Sequence, residues 1–126
     1  MRDEQVRRYA RHVMLPDVGG LGQTALLVAS ARVPLRESEP AAELIAATYL
    51  AAGGVGTIVV PASDAQRADI AAHGADTKVA GEGDGRDVAL APKPAWWPSA
   101  PGDDHALAYW RGAMAAVRWM TETIEK

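Results

Sequence analysis

Residues 49–60 read YLAAGGVGTIVV: the end of a helix, a glycine turn and a strand. The helix is 41–52, AAELIAATYLAA, built from strong helix formers. Leu44, Ile45, Thr48 and Tyr49 fall at helical spacing and give it one face. Gly53 and Gly54 stop it, because a residue in the left-handed region closes a helix without a Cβ clash. Gly56 then releases Thr57-Ile58-Val59-Val60, a β-branched run that fits a buried parallel strand. A helix packed back onto such a strand is half of a βαβ unit. The preceding strand is expected at 31–35, weak or at a sheet edge because Pro34 lacks a ladder donor.

Outward from this unit, Ser38 as N-cap and Pro40 in the first turn start the central helix. After Val60, Pro61 ends the strand, and Ser63 or Asp64 caps a helix to about His73, closed by Gly74. Residues 76–80 and 87–91 are expected as third and fourth strands, with Gly81-Glu82-Gly83-Asp84-Gly85 as a hairpin turn between them. Residues 92–102, PKPAWWPSAPG, are irregular. Asp103 or Asp104 then starts a long last helix to about Ile124. At the front, 3–14 is expected to be helical, with Val6, Tyr9 and Val13 as its apolar stripe and Arg7, Arg8, Arg11 and His12 on its basic side. Residues 23–30 form a second short helix in this reading. The order predicts an α/β fold: a small, mostly parallel sheet of three or four strands with helices on both faces. It is one domain over 1–126: a helical arm at 1–30, a reduced Rossmann-like core at 31–91, a Pro/Trp loop at 92–102 and a C-terminal helix at 103–126.

Bulk properties exclude several functions. A net charge of -3 gives no footprint for nucleic acid. With no cysteine there is no disulfide, thiolate metal site or cysteine nucleophile. No apolar run approaches the ~20 residues of a membrane span. The first residues are charged and lack a signal-peptide core, so a cytoplasmic location is expected.

Few residues point to chemistry by themselves. Gly53-Gly54-Val55-Gly56 follows its helix instead of preceding it, which makes it a helix cap and not a phosphate loop. Glu82, Asp84 and Asp87 lack the later bidentate glutamate of a calcium loop and read as a solvated turn. His12, His73 and His105 stand without a second ligand. Trp96 and Trp97 either wall a ligand or partner or cover the end of the sheet. In the last helix Leu107, Trp110, Met114, Val117, Thr121 and Ile124 follow 3, 4, 3, 4, 3 spacing, a heptad-like seam. It packs on the sheet or against a second copy. Tyr109, Ala113, Ala116 and Met120 widen the apolar surface and Trp119 adds another side, so Trp110, Met114, Val117, Trp119, Met120 and Ile124 are candidate interface residues.

Two stretches together carry a resemblance. Residues 4–23, EQVRRYARHVMLPDVGGLGQ, resemble the opening of the bacterial ThiF/MoeB/HesA adenylyltransferases, relatives of the ubiquitin-activating enzymes. YLAAGGVGTIVV resembles the segment where that family's first helix runs into its second strand. Ser63-Asp64-Ala65-Gln66-Arg67, 86–90 and 113–119 are weaker echoes. The resemblance implies a homodimer, with Arg8, Arg11 and Arg67 matching arginines near ATP and Arg11 matching one that reaches the other subunit's nucleotide. The family adenylates the C-terminal glycine of a ubiquitin-like sulfur carrier with ATP and magnesium.

The departures fall on the chemistry. Where the family has GxGxxG, this chain has Glu37-Ser38-Glu39-Pro40-Ala41-Ala42. No glycine lets backbone amides approach phosphate there. A carboxylate ~4 Å from phosphate opposes it by a few kcal/mol at an effective dielectric of about 20. Pro61-Ala62 stands where the ribose aspartate belongs, and Ala91-Pro92-Lys93-Pro94 where the magnesium aspartate belongs. The expected function is therefore a non-catalytic family member: an interaction or scaffold subunit without cofactor, as a homodimer or beside a full-length member. The alternative is an adenylating enzyme that uses ATP and magnesium on a sulfur carrier.

Overall fold

The computed structural model describes residues 20–36, 40–97 and 104–125. The helix expected at 3–14, with Arg8 and Arg11, and the cap at Ser38 lie outside them. Along the chain come α1 (Gly20–Leu27), β1 (Ser30–Arg32), α2 (Ala41–Ala52), β2 (Thr57–Val59), α3 (Asp64–Ala71), β3 (Lys78–Ala80), β4 (Arg86–Asp87) and α4 (Asp104–Ile124). The strands form one sheet in the order β3-β2-β1-β4, and every pair is parallel. This is a Rossmann-like α/β fold. The chain leaves β1 for β2 and β3 on one side, then returns to β4 on the other, so the strand order reverses between β1 and β4.

The helix read from the opening stretch spans the residues expected of it. Gly53 is still right-handed at φ -80° and Gly54 turns left-handed at φ 93°, which ends α2 without a Cβ penalty. Pro40 occupies the N-cap position and not the first turn. β1 is interior, contrary to the weak or edge strand expected. Its ladder closes before Pro34, where Val33 still donates to the Val59 carbonyl at 2.8 Å, so the missing donor falls beyond the strand.

Alternation along the strands divides the sheet into two faces. Ala31, Val33, Ile58, Val60 and Val88 join one buried cluster with Leu26, Leu50, Trp119 and Met120. α4 lies along α2 on this face. The contact is close because Gly112 carries no side chain: a Cβ there would sit 2.3 Å from the Ala42 carbonyl and 2.9 Å from Ile45. The residues of α4 that go inward are therefore Gly112, Ala115, Ala116, Trp119 and Met120. The heptad-like seam is not the buried stripe. Small residues at 112, 115 and 116 permit closer helix approach than Trp110 or Met114 would, and Met114 stays exposed. Trp119 Nε1 donates to the Arg86 carbonyl at 3.1 Å, and the Arg86 guanidinium lies 4.4 Å from the Trp119 ring centre.

On the second face Arg32, Val59, Ala80 and Asp87 stand in one register row. Residues 81–85 do not form the expected hairpin. β3 and β4 are opposite edges, so this segment crosses β2 and β1 as a strap. Gly83 rests on Val59, with 3.3 Å from a Cβ position to Cγ2. Val59 is thereby buried outside the main core cluster.

Candidate functional site

In open parallel sheets ligands bind beyond the carboxyl ends of the strands, where the order reverses. Here that point lies between the last residues of β1 and β4, Arg32 and Asp87, which are register partners. Arg32 Nε lies 2.8 Å from Asp87 Oδ1. From the β1–α2 connection, Arg36 Nη2 donates to Asp87 Oδ2 at 3.1 Å. The hydrogen bond from Arg36, with Arg32 beside it, holds the Asp87 carboxyl below its ordinary value of 3.8. The three side chains are 45%, 63% and 42% exposed for Arg32, Arg36 and Asp87, so solvent screens the pairing.

The start of α2 completes the site. The Arg36 amide donates to Glu43 Oε2 at 2.8 Å, and Glu43, in the first turn of α2, is only 4% exposed. A carboxylate in a first helical turn is favoured by the helix dipole. The amide and the helix start, which in nucleotide-binding folds face phosphate, here face a carboxylate of the chain itself. Beside this cluster lies a cavity of about 230 Å³ between Arg32, Pro34, Val59, Pro61 and residues 81–83 of the strap.

Arg67 sits at the next strand end. Its guanidinium donates to the Ala62 carbonyl, pairs with Asp64 and lies under Gly81 of the strap. Ser63 caps α3 reciprocally, accepting from the Gln66 amide at 3.1 Å while Gln66 Oε1 accepts from the Ser63 amide at 3.0 Å. Arg8 and Arg11 lie outside the described residues. Of the candidate interface side chains, Trp119 and Met120 are buried inside the chain's own core, Trp110, Val117 and Ile124 are half-buried, and Met114 is exposed. Trp96, Trp97 and Trp110 pack on one another, with ring centres 5.8 to 6.4 Å apart. His73 and His105 are exposed. Among the described residues no three His, Asp or Glu side chains are grouped to hold a metal ion. Asp87, read with the turn acids, pairs with arginines instead.

Sequence reasoning passed over Arg32, Arg36 and Glu43 and read Asp87 as one acid of a solvated turn. Arg36 and Asp87 are 51 positions apart, and only the pairing of β1 with β4 joins them. Glu43 carried the one local signal, a lone carboxylate in the first turn of an otherwise apolar helix. Comparison with protein-family models, curated proteins and solved structures finds no match to this chain. No helix among the described residues is long and apolar enough to cross a membrane.

Proposed function

We propose that this chain is a non-catalytic relative of the ThiF/MoeB/HesA adenylyltransferases, acting in the cytoplasm as an interaction or scaffold subunit. The observation that supports this reading is the filling of the phosphate position by Glu43 and Asp87, which take the Arg36 amide and both guanidiniums. ATP and magnesium fit this end of the sheet poorly. The two guanidiniums an incoming phosphate would meet already share the Asp87 carboxylate, and the β1–α2 connection supplies carboxylates instead of glycines. In this reading the chain works as a homodimer or beside a full-length family member, with exposed Tyr109 and Met114 of α4 in the contact and a ubiquitin-like sulfur carrier as a candidate partner. Pyrophosphate exchange with ATP, magnesium and a panel of carrier proteins tests it. Exchange at the level of the enzyme-free blank is expected. Exchange well above the blank makes the chain an adenylating enzyme instead.

A further inference from the structure

The strap at 81–85 is fastened at its ends and not along its length. At one end the Ala80 carbonyl accepts from the Val60 amide at 2.8 Å. At the other, Asp87 pairs with Arg32 and Arg36, and the Val88 amide donates to the Arg32 carbonyl at 2.8 Å. Between them, among the described residues, no hydrogen bond or ion pair reaches residues 81–85. The strap lies flat through close approach alone. Gly83 sits on Val59, and a Cβ at Gly85 would stand 3.0 Å from the Ser30 carbonyl oxygen. Ordering glycine costs more conformational entropy than ordering any other residue, and here no hydrogen bond offsets that cost. Glu82 and Asp84, both exposed, place two like charges on the strap.

The strap also has slack. From β3 to β4 it crosses three strand spacings, about 14 Å. The chain from Ala80 to Arg86 reaches about 20 Å when extended. Its middle can therefore rise from the sheet with both ends still paired. Beneath it lie Val59 and the cavity of about 230 Å³ walled by Arg32, Pro34 and Pro61. Val59 stands outside the main core cluster, so lifting the strap uncovers one valine and leaves that cluster closed. Segments with few buried apolar contacts and no backbone hydrogen bonds open at a free energy well below that of global unfolding.

We propose that residues 81–85 are a gate: they lift off Val59 as a unit while the sheet and helices stay folded, and so open the carboxyl-end cavity to small solutes. The gate does not depend on the function proposed above.

The chain has no cysteine, so Val59→Cys and Val60→Cys each place a single thiol, one under the strap and one in the main core cluster. Alkylation by iodoacetamide, followed by mass in rising urea, compares them. The Val59→Cys thiol is expected to react at least about tenfold faster than the Val60→Cys thiol, at a rate that low urea does not change. The Val60→Cys thiol is expected to follow global unfolding. Gly83 has φ 149°, which strains any other residue, so adding Gly83→Ala is expected to speed the Val59→Cys thiol about tenfold and leave Val60→Cys unchanged. Wild type supplies a second readout through a glutamate-specific protease. Cleavage after Glu82 is expected at a rate independent of low urea, while the bond after Glu43 in α2 stays uncut. Equal alkylation of the two thiols at every urea concentration overturns the proposal. So does a Val59→Cys thiol that reacts as fast as in the unfolded chain, a Gly83→Ala change without effect, or cleavage after Glu82 only when Glu43 is also cut.

Discussion

Arg32 Nε and Asp87 Oδ1, 2.8 Å apart, tie the end of β1 to the end of β4 across the point where the strand order reverses. The same carboxylate takes Arg36, so one anion of the chain serves two guanidiniums. Asp87→Ala frees both. Sulfate at constant ionic strength is expected to raise the melting temperature of the variant and not that of wild type. Equal responses mean that Asp87 does not hold the anion position.

The pH dependence of this pairing has a defined sign. The folded-state pKa of Asp87 lies below 3.8, so the unfolded chain binds its proton first on acidification. The contribution is complete above the unfolded value and is lost as pH falls through the lower folded one. Wild type is expected to exceed Asp87→Asn in stability at neutral pH, with the margin shrinking in acid and in high salt. Denaturant melts across that range measure the margin. A margin that widens in acid contradicts the pairing.

Gly112 sets the separation of α4 from α2. Gly112→Val drives a side chain into the Ala42 carbonyl and Ile45, and is expected to lower stability by about 1–3 kcal/mol. Met114→Ala, on the exposed side, is expected to change it by no more than about 0.5 kcal/mol. Denaturant titration compares the two. Equal effects mean that α4 does not bury the face assigned to it.

What the sequence made legible follows from where each signal resides. α2 could be read to the residue because its formers, its stop and the next strand are adjacent in the chain. The extent of α4 was legible from its start and its periodicity, but its buried side was not. Periodicity weighs large apolar residues, whereas the neighbour at Ala42 and Ile45 demanded the small ones. Residues 81–85 carry turn chemistry, and turn chemistry does not encode which sheet edge the next strand joins. The Arg32–Arg36–Asp87 cluster exists only through that edge choice.

Self-association is tested apart from folding, because Trp119 and Met120 belong to the core and Met114 does not. Met120→Ala is expected to destabilise by about 2–5 kcal/mol, and it reports on packing alone. Sedimentation of wild type is expected to show a dimer at micromolar concentration and Met114→Asp a folded monomer. Arg11→Ala measures what the amino-terminal arm adds. A monomeric wild type ends the homodimer reading, and a dimeric Met114→Asp removes this side of α4 from the contact.

The central claim is that Glu43 and Asp87 fill the position a nucleotide phosphate would take. Thermal unfolding of wild type with and without magnesium-ATP tests it most directly. An unchanged melting curve is the expected result. A rise equivalent to about 2.7 kcal/mol, the gain at ~100 times a dissociation constant, would contradict it.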